Sequence, residues 1–224
     1  VPKKLFVYAS EFAKDFTDAR GYGWDVTGNG FDWPTLRDAK TKEIERLNGV
    51  YRNLLKNAGV ELIWGRAKVT GPHAVEVDGK TYTAERILVA VGGWPFVPDI
   101  PGAELGITSN DVFYLDQFPK RLLVVGGGYV AVEFAGVFNG LGSQVTQIYR
   151  KELFLRGFDA EVSGFLAEEM RKKKVDLRFN TDVTALEKAP SGAVIAKLTD
   201  GSSLEVDAVL FATGRKPNTA GLGL

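Results

Sequence analysis

The sequence predicts an α/β fold: two similar domains in tandem, the first incomplete, built on parallel sheets with β-meander crossovers. Three observations carry this. A strand, a glycine turn, a helix and a second strand follow one another between Arg121 and Tyr149. The runs 87–91 and 121–125 are almost wholly branched and apolar, the pattern of strands buried on both faces. A series of residues also recurs at a fixed offset. Asp78-Gly79, Leu88-Val89-Ala90-Val91-Gly92 and Pro95 return 122 residues later as Asp200-Gly201, Leu210-Phe211-Ala212-Thr213-Gly214 and Pro217. Such a repeat marks one supersecondary unit used twice. The first copy has no glycine turn ahead of its helices, so its own turn is expected upstream of Val1. The domains are then residues 1–118 and 119–224.

In chain order, Pro2 suits the first turn of a helix, and Leu5, Phe6, Val7, Tyr8, Ala9 and Phe12 continue it at helical spacing. Residues 21–30 read as a loop containing Tyr22 and Trp24. Asp32-Trp33-Pro34 joins a cap to an early proline and opens a helix predicted over residues 35–56. Its apolar stripe is Leu36, Ile44, Leu47, Val50, Tyr51, Leu54 and Leu55, and Ala58-Gly59 ends it. From Val60 the pattern changes to strands, at 60–64, 74–77, 80–83 and 87–91, with Asp78-Gly79 as a hairpin turn. Residues 94–102 hold three of the nine prolines and read as a linker. Beyond the central unit, a helix over 160–174 precedes strands at 176–179, 194–198 and 206–211.

The central turn reads Gly126-Gly127-Gly128-Tyr129-Val130-Ala131, a G-x-G-x-x-A pattern between strand and helix. Glycines there let backbone N–H groups and a helix N-terminus approach a pyrophosphate, the Rossmann-like dinucleotide arrangement. Gly126 supplies the tight turn, Gly128 the close approach to phosphate, and Ala131 close helix–strand packing. A glycine triplet alone would be an ordinary loop; strand before, helix after and a strand about 20 residues on turn it into a fingerprint. The second strand, 145–149, then selects the dinucleotide. An NAD site places an acid at its end for the ribose hydroxyls. This chain has Tyr149, followed by Arg150, Lys151 and Arg156. Guanidinium groups bind a 2′-phosphate through charge-assisted hydrogen bonds where a carboxylate would repel it. The cofactor predicted from these residues is NADPH.

Composition narrows the partners. Lys plus Arg and Asp plus Glu are 28 each, which gives no reason to expect nucleic acid or an anionic membrane surface. No apolar run approaches the ~20 residues that cross a bilayer, and no signal peptide is visible, so a cytoplasmic protein is expected. The absence of cysteine excludes disulfides, thiolate chemistry and zinc–cysteine sites from these residues, and no metal site is expected. The opening on Val1 and the end at Gly223-Leu224 suggest a piece of a longer protein.

The chain resembles the glutathione reductases of bacterial and plant type, within the flavin disulfide reductases, over essentially all 224 residues. The resemblance rests on Val1-Pro2-Lys3-Lys4-Leu5, on residues 126–136 and 150–159, and on Phe211-Ala212-Thr213-Gly214-Arg215-Lys216-Pro217-Asn218-Thr219. It implies FAD beside NADPH, glutathione disulfide as substrate, and a homodimer for the full-length member. Hydride would pass from NADPH to FAD, then electrons to a redox disulfide whose second cysteine directly precedes Val1, then to the substrate. By resemblance, Lys3 pairs with Glu133 near the flavin N5 and Tyr129 covers the flavin until nicotinamide displaces it. Arg150 and Arg156 hold the 2′-phosphate, with Lys151 assisting. Val130, Gly214 and Arg215 join the NADPH site, Ala67 and Gly92 the FAD site, and Tyr51 the disulfide-substrate site. Departures are plain. The FAD cradle, redox cysteines, later FAD segment and dimerisation domain with its catalytic histidine are missing, and Val91 replaces the threonine of the first A-T-G turn. This segment alone is not expected to turn over glutathione disulfide.

Plainer readings stand beside these. Lys3 and Glu133 could be surface charges, and Tyr51, on its helix stripe, a core residue. Arg171-Lys172-Lys173-Lys174 reads as a solvated helix end, and His73, beside Gly71-Pro72, as structural. The rival function class is a non-catalytic NADPH-binding module; a related flavin disulfide reductase with another substrate is the nearer alternative.

Overall fold

The computed structural model describes residues 1–27 and 30–224. Two residues of the predicted 21–30 loop, Gly28 and Asn29, therefore lie outside the described residues. The elements run α1 (Pro2–Gly21), α2 (Trp33–Asn57), β1 (Ala67–Gly71), β2 (Ala74–Val77), β3 (Lys80–Thr83) and β4 (Gly93–Pro95). There follow β5 (Ile107–Thr108), β6 (Arg121–Val125), α3 (Tyr129–Gly140), β7 (Gln144–Tyr149), α4 (Ala160–Lys172) and β8 (Asp176–Phe179). The last are β9 (Val183–Lys188), β10 (Val194–Leu198), β11 (Ser203–Val206), β12 (Ala208–Phe211) and β13 (Arg215–Pro217). The chain forms two compact units, one of residues 1–42 and 95–214, the other of 43–94 and 215–224. Among the described residues no helix is long and apolar enough to cross a membrane.

The larger unit is organised by a parallel sheet in the order β5-β12-β6-β7-β8. Its apolar strands are explained by coverage on both faces. Leu122, Val124 and Leu210 join Phe134, Ala135 and Phe138 of α3 in one cluster, while Leu123, Val125, Val209 and Phe211 join the meander β9-β10-β11 in another. Successive residues of β6 thus enter opposite layers, as the period of two requires. Helix α1 packs on α3 through Phe6, which is fully buried and set edge-on to Trp33 at 5.3 Å. Trp33 in turn donates its indole N–H to the Leu115 carbonyl at 2.7 Å, which satisfies the one polar atom of a buried ring.

Helix α1 begins at Pro2, so Lys3 lies inside its first turn; proline at that position is already set at helical φ. One expectation changes in this unit: the run 206–211 is not one strand. Val206 ends β11, antiparallel to β10, and Ala208 begins β12, parallel to β6. Asp207 makes the break by accepting the Arg121 N–H at 2.9 Å and its guanidinium at 2.7 Å. Burial works against that carboxylate, but the Arg121 hydrogen bonds and charge outweigh it and hold its pKa below the usual value.

In the smaller unit β1-β2-β3 is an antiparallel meander, and β4 pairs with β13, its own echo 122 residues on. Asp78 and Gly79 both take positive φ, 50° and 77°, as a type I′ hairpin turn demands. Gly59, at φ 74°, ends α2 as predicted, with Val60 N–H reaching back to the Leu55 carbonyl. His73 fits its structural reading, its Nδ1 lying 3.1 Å from the Ala84 carbonyl. Runs 60–64 and 87–91, predicted as strands, are not strands. Leu88 is 89% exposed and Trp64 77%. A buried parallel strand exists only through neighbours on both edges, and among the described residues neither run has a ladder partner. The echo of 87–91, by contrast, lies between β5 and β6. The stripe on the later turns of α2 is likewise exposed, Tyr51 at 59%, so Tyr51 is not a core residue.

Candidate functional site

Strand β6 delivers the chain into the turn 126–128 at the carboxyl edge of the parallel sheet, where open α/β sheets bind ligands. Gly126 has φ 139°, and a Cβ there would lie 2.3 Å from the Ala212 carbonyl oxygen. Only glycine fits. The middle position is as constrained, for a reason the sequence pattern did not carry: a Cβ on Gly127 would meet the Tyr149 ring at 2.5 Å. Gly128 differs from both. It caps α3 in extended backbone, φ −84°, with nothing within 4 Å of where its Cβ would point. No side chain caps α3, so its first-turn N–H groups, those of Tyr129 and Val130 among them, face the open side of the turn. Ala131 is fully buried against the sheet.

Beneath the turn lies a residue sequence reading missed. Gln147, in the middle of β7 and 1% exposed, donates its Nε2–H to the Gly126 carbonyl at 3.0 Å. The signal was available, since an amide inside the run Gln144–Tyr149 is costly unless bonded. Gly126 N–H also donates to the Ile148 carbonyl at 3.0 Å. Both backbone polar groups of Gly126 are therefore tied to β7, which fixes the plane of the turn.

In front of the turn is a cleft of about 390 Å³ lined by Gly126, Gly127, Gly128, Tyr129, Tyr149, Arg150, Lys151, Leu155, Arg156, Phe158, Asp182, Thr213 and Gly214, among others. Arg150 and Lys151 follow β7 directly, and Arg156 sits on the loop before α4. That loop is anchored to the turn by Leu155, whose N–H donates to the Gly127 carbonyl at 2.6 Å while its backbone takes φ 57°. A leucine held there is strained by about 1–3 kcal/mol, as at positions where geometry matters. Asp159 then caps α4, accepting the Glu161 and Val162 N–H groups. Among the described residues no acid lies within ion-pair distance of Arg150, Lys151 or Arg156. Three cations lining one cleft beside a helix N-terminus are suited to hold an anion.

On the other side of α3's first turn, Lys3 forms an ion pair with Glu133, and its Nζ lies 5.0 Å from the centre of the Tyr129 ring. Partial burial pushes the Lys3 ammonium below its usual pKa. Residues 130 apart in sequence thus meet because α1 packs on α3. Tyr129 is 58% exposed, so it fills no core. The remaining candidates belong to the smaller unit. Ala67 opens β1, Gly92 takes φ 68°, Tyr51 lies on α2, and Arg215, in β13, donates to the Gly93 carbonyl.

Fold and cleft together define a dinucleotide-binding protein of the Rossmann-like class. The profile described as "Pyridine nucleotide-disulphide oxidoreductase" matches residues 1–224, and the chain belongs to that family. It is 50% identical to "Glutathione reductase" of Burkholderia cepacia, over all of this chain and 50% of that one. It is 47% identical to "Glutathione reductase, chloroplastic/mitochondrial" of Pisum sativum, over all of this chain and 41% of that one. Among solved structures it is similar to the "HOCl-induced flavoprotein disulfide reductase RclA from Escherichia coli", with a TM-score of 0.83 and 28% identity, over 99% of this chain and 48% of that one. The chain spans about half the length of the curated relatives it matches.

Proposed function

We propose that this chain is part of an NADPH- and FAD-dependent reductase of glutathione disulfide, cytoplasmic and homodimeric in its full-length form. Residues 119–224 form the NADPH-binding domain and residues 1–118 part of the FAD-binding domain. The carrying observation is that Arg150, Lys151 and Arg156 converge beside a glycine turn while Tyr149 stands where an NAD site needs an acid. When bound, the two cofactors supply a hydride donor and its acceptor.

The residues of this chain do the rest. The α3 N-terminus and the 126–128 turn neutralise the pyrophosphate. Arg150 and Arg156 hold the 2′-phosphate, with Lys151 adding charge, and Val130, Gly214 and Arg215 complete the nucleotide site. Tyr129 covers the nicotinamide position and swings aside. Lys3, kept in place by Glu133, holds a cation where negative charge develops during hydride transfer; Ala67 and Gly92 contribute backbone to the FAD site and Tyr51 borders the disulfide substrate. These 224 residues contain no cysteine, so the redox disulfide this reading requires is supplied by another part of the protein. The test is NADPH oxidation by the full-length protein with glutathione disulfide and, separately, with other disulfides. Turnover with glutathione disulfide supports the reading. NADPH binding without reduction of any disulfide would move it to a non-catalytic module.

A double-mutant cycle tests Lys3 and Glu133. Because both are partly exposed, the pair should add no more than about 1 kcal/mol to stability. Lys3→Met and Glu133→Gln should nevertheless each slow flavin reduction, and the double variant should lose less than the two combined. Rates that multiply independently would leave Glu133 as a surface acid complementing the helix dipole.

A further inference from the structure

Among the described residues Asp182 is the only acid lining a cleft that otherwise presents Arg150, Lys151 and Arg156. It is well fixed. Its N–H donates to Thr199 Oγ1 at 3.0 Å, and its Oδ1 accepts the Val183 N–H at 2.9 Å, which leaves Oδ2 with unused lone pairs. A carboxylate cannot serve a phosphate, so its partner must be a donor on another part of the ligand. We infer that Asp182 accepts a hydrogen bond from the exocyclic amino group of an adenine ring and sets the base specificity of the cleft. The inference rests on the nucleotide reading of that cleft and deepens it.

Placement selects the adenine. In the sheet order β6-β7-β8, β6 ends in the glycine turn, β7 ends at the cations, and Asp182 follows the end of β8. The segment before it is laced to the cation loop, Asn180 N–H donating to the Lys151 carbonyl at 3.0 Å and Thr181 N–H to the Tyr149 carbonyl at 3.1 Å. A ribose held through its 2′-phosphate by Arg150 and Arg156 carries its base one glycosidic bond away. The nicotinamide is separated from that ribose by the whole pyrophosphate, and the pyrophosphate belongs at the turn. The donor nearest the end of β8 is therefore on the base. Adenine offers an amino group at its 6-position, where hypoxanthine offers a carbonyl oxygen, and an acceptor-only carboxylate distinguishes the two.

The experiment is calorimetric titration of the full-length protein with adenosine 2′,5′-bisphosphate and with inosine 2′,5′-bisphosphate. The adenine ligand should bind about tenfold or more tightly, the worth of one hydrogen bond to a charged group. Asp182→Asn keeps an acceptor for the Val183 N–H and gains a donor for a carbonyl, so it should shift the ratio toward inosine. Asp182→Leu should abolish the preference while both ligands still bind. Equal affinities in the unaltered protein, or a ratio unmoved by Asp182→Asn, overturn the role of Asp182 and leave the cleft reading intact. If neither ligand binds, the cleft reading falls and this inference with it.

Discussion

Replacing Arg150 and Arg156 together with neutral residues should weaken NADPH binding by about a hundredfold or more, since each charge-assisted contact contributes roughly 1.5–3 kcal/mol. NADH binding should change by less than about threefold, because surface charges removed from an empty contact alter little. The asymmetry is the decisive feature. Both arginines are exposed and neither has an acidic partner within ion-pair distance among the described residues, so their removal breaks no internal brace. The loss should therefore fall on the ligand rather than on the fold. Salt offers a second reading of the same contact, because exposed charge pairs are screened on a scale of about 8–10 Å near physiological ionic strength. Raising ionic strength should close the gap between the two nucleotides in the unaltered protein and barely affect the double variant. Equal losses for NADPH and NADH in a binding titration would show that the cations do not read the 2′-phosphate.

How much of this was legible in the sequence depends on how local each feature is. The unit 121–149 was readable in full because strand, turn, helix and strand are consecutive, and a buried parallel strand announces itself by being apolar on both faces. Strands β1, β4, β5, β9 and β13 and the separate β11 were missed: β4, β5 and β13 are two or three residues long, and the meander strands alternate buried and exposed side chains too weakly to stand out. Runs 60–64 and 87–91 failed for the opposite reason. Their composition fits a strand, but a strand is a pairing, and composition cannot supply a neighbour. Around the cleft, residues named from spacing along the chain line it, whereas contacts across the chain could not be read from spacing. Gly127 is required by a ring 22 residues later, and Gln147 reaches back 21 residues to Gly126. Lys3 and Glu133 were paired only by family resemblance; the packing of α1 on α3 that joins them is nowhere in either local sequence.

The two glycines of the turn should separate folding from binding. Gly126→Ala places a methyl 2.3 Å from the Ala212 carbonyl oxygen, at a φ of 139° that L residues rarely adopt. Neither problem can be relieved by rotating a side chain, because the obstruction is backbone held in the sheet by Ala212 N–H donating to the Val125 carbonyl at 2.8 Å. Overpacking and backbone strain of about 1–3 kcal/mol each should combine to remove roughly 2–6 kcal/mol, much of the 5–15 kcal/mol typical of a folded protein. Gly128→Ala meets no obstruction, and its extended backbone suits alanine, so stability should change by about 1 kcal/mol or less. Its methyl would nevertheless stand in the space through which a pyrophosphate approaches the α3 N–H groups. Nucleotide affinity should fall by about tenfold or more, the worth of one or two charge-assisted contacts. Urea unfolding and NADPH titration of the two variants, side by side, give the comparison. A Gly126→Ala protein that unfolds at the unaltered urea concentration would show that the turn tolerates a side chain against Ala212, and a Gly128→Ala protein that binds NADPH normally would show that the phosphate cradle is not where the turn presents it.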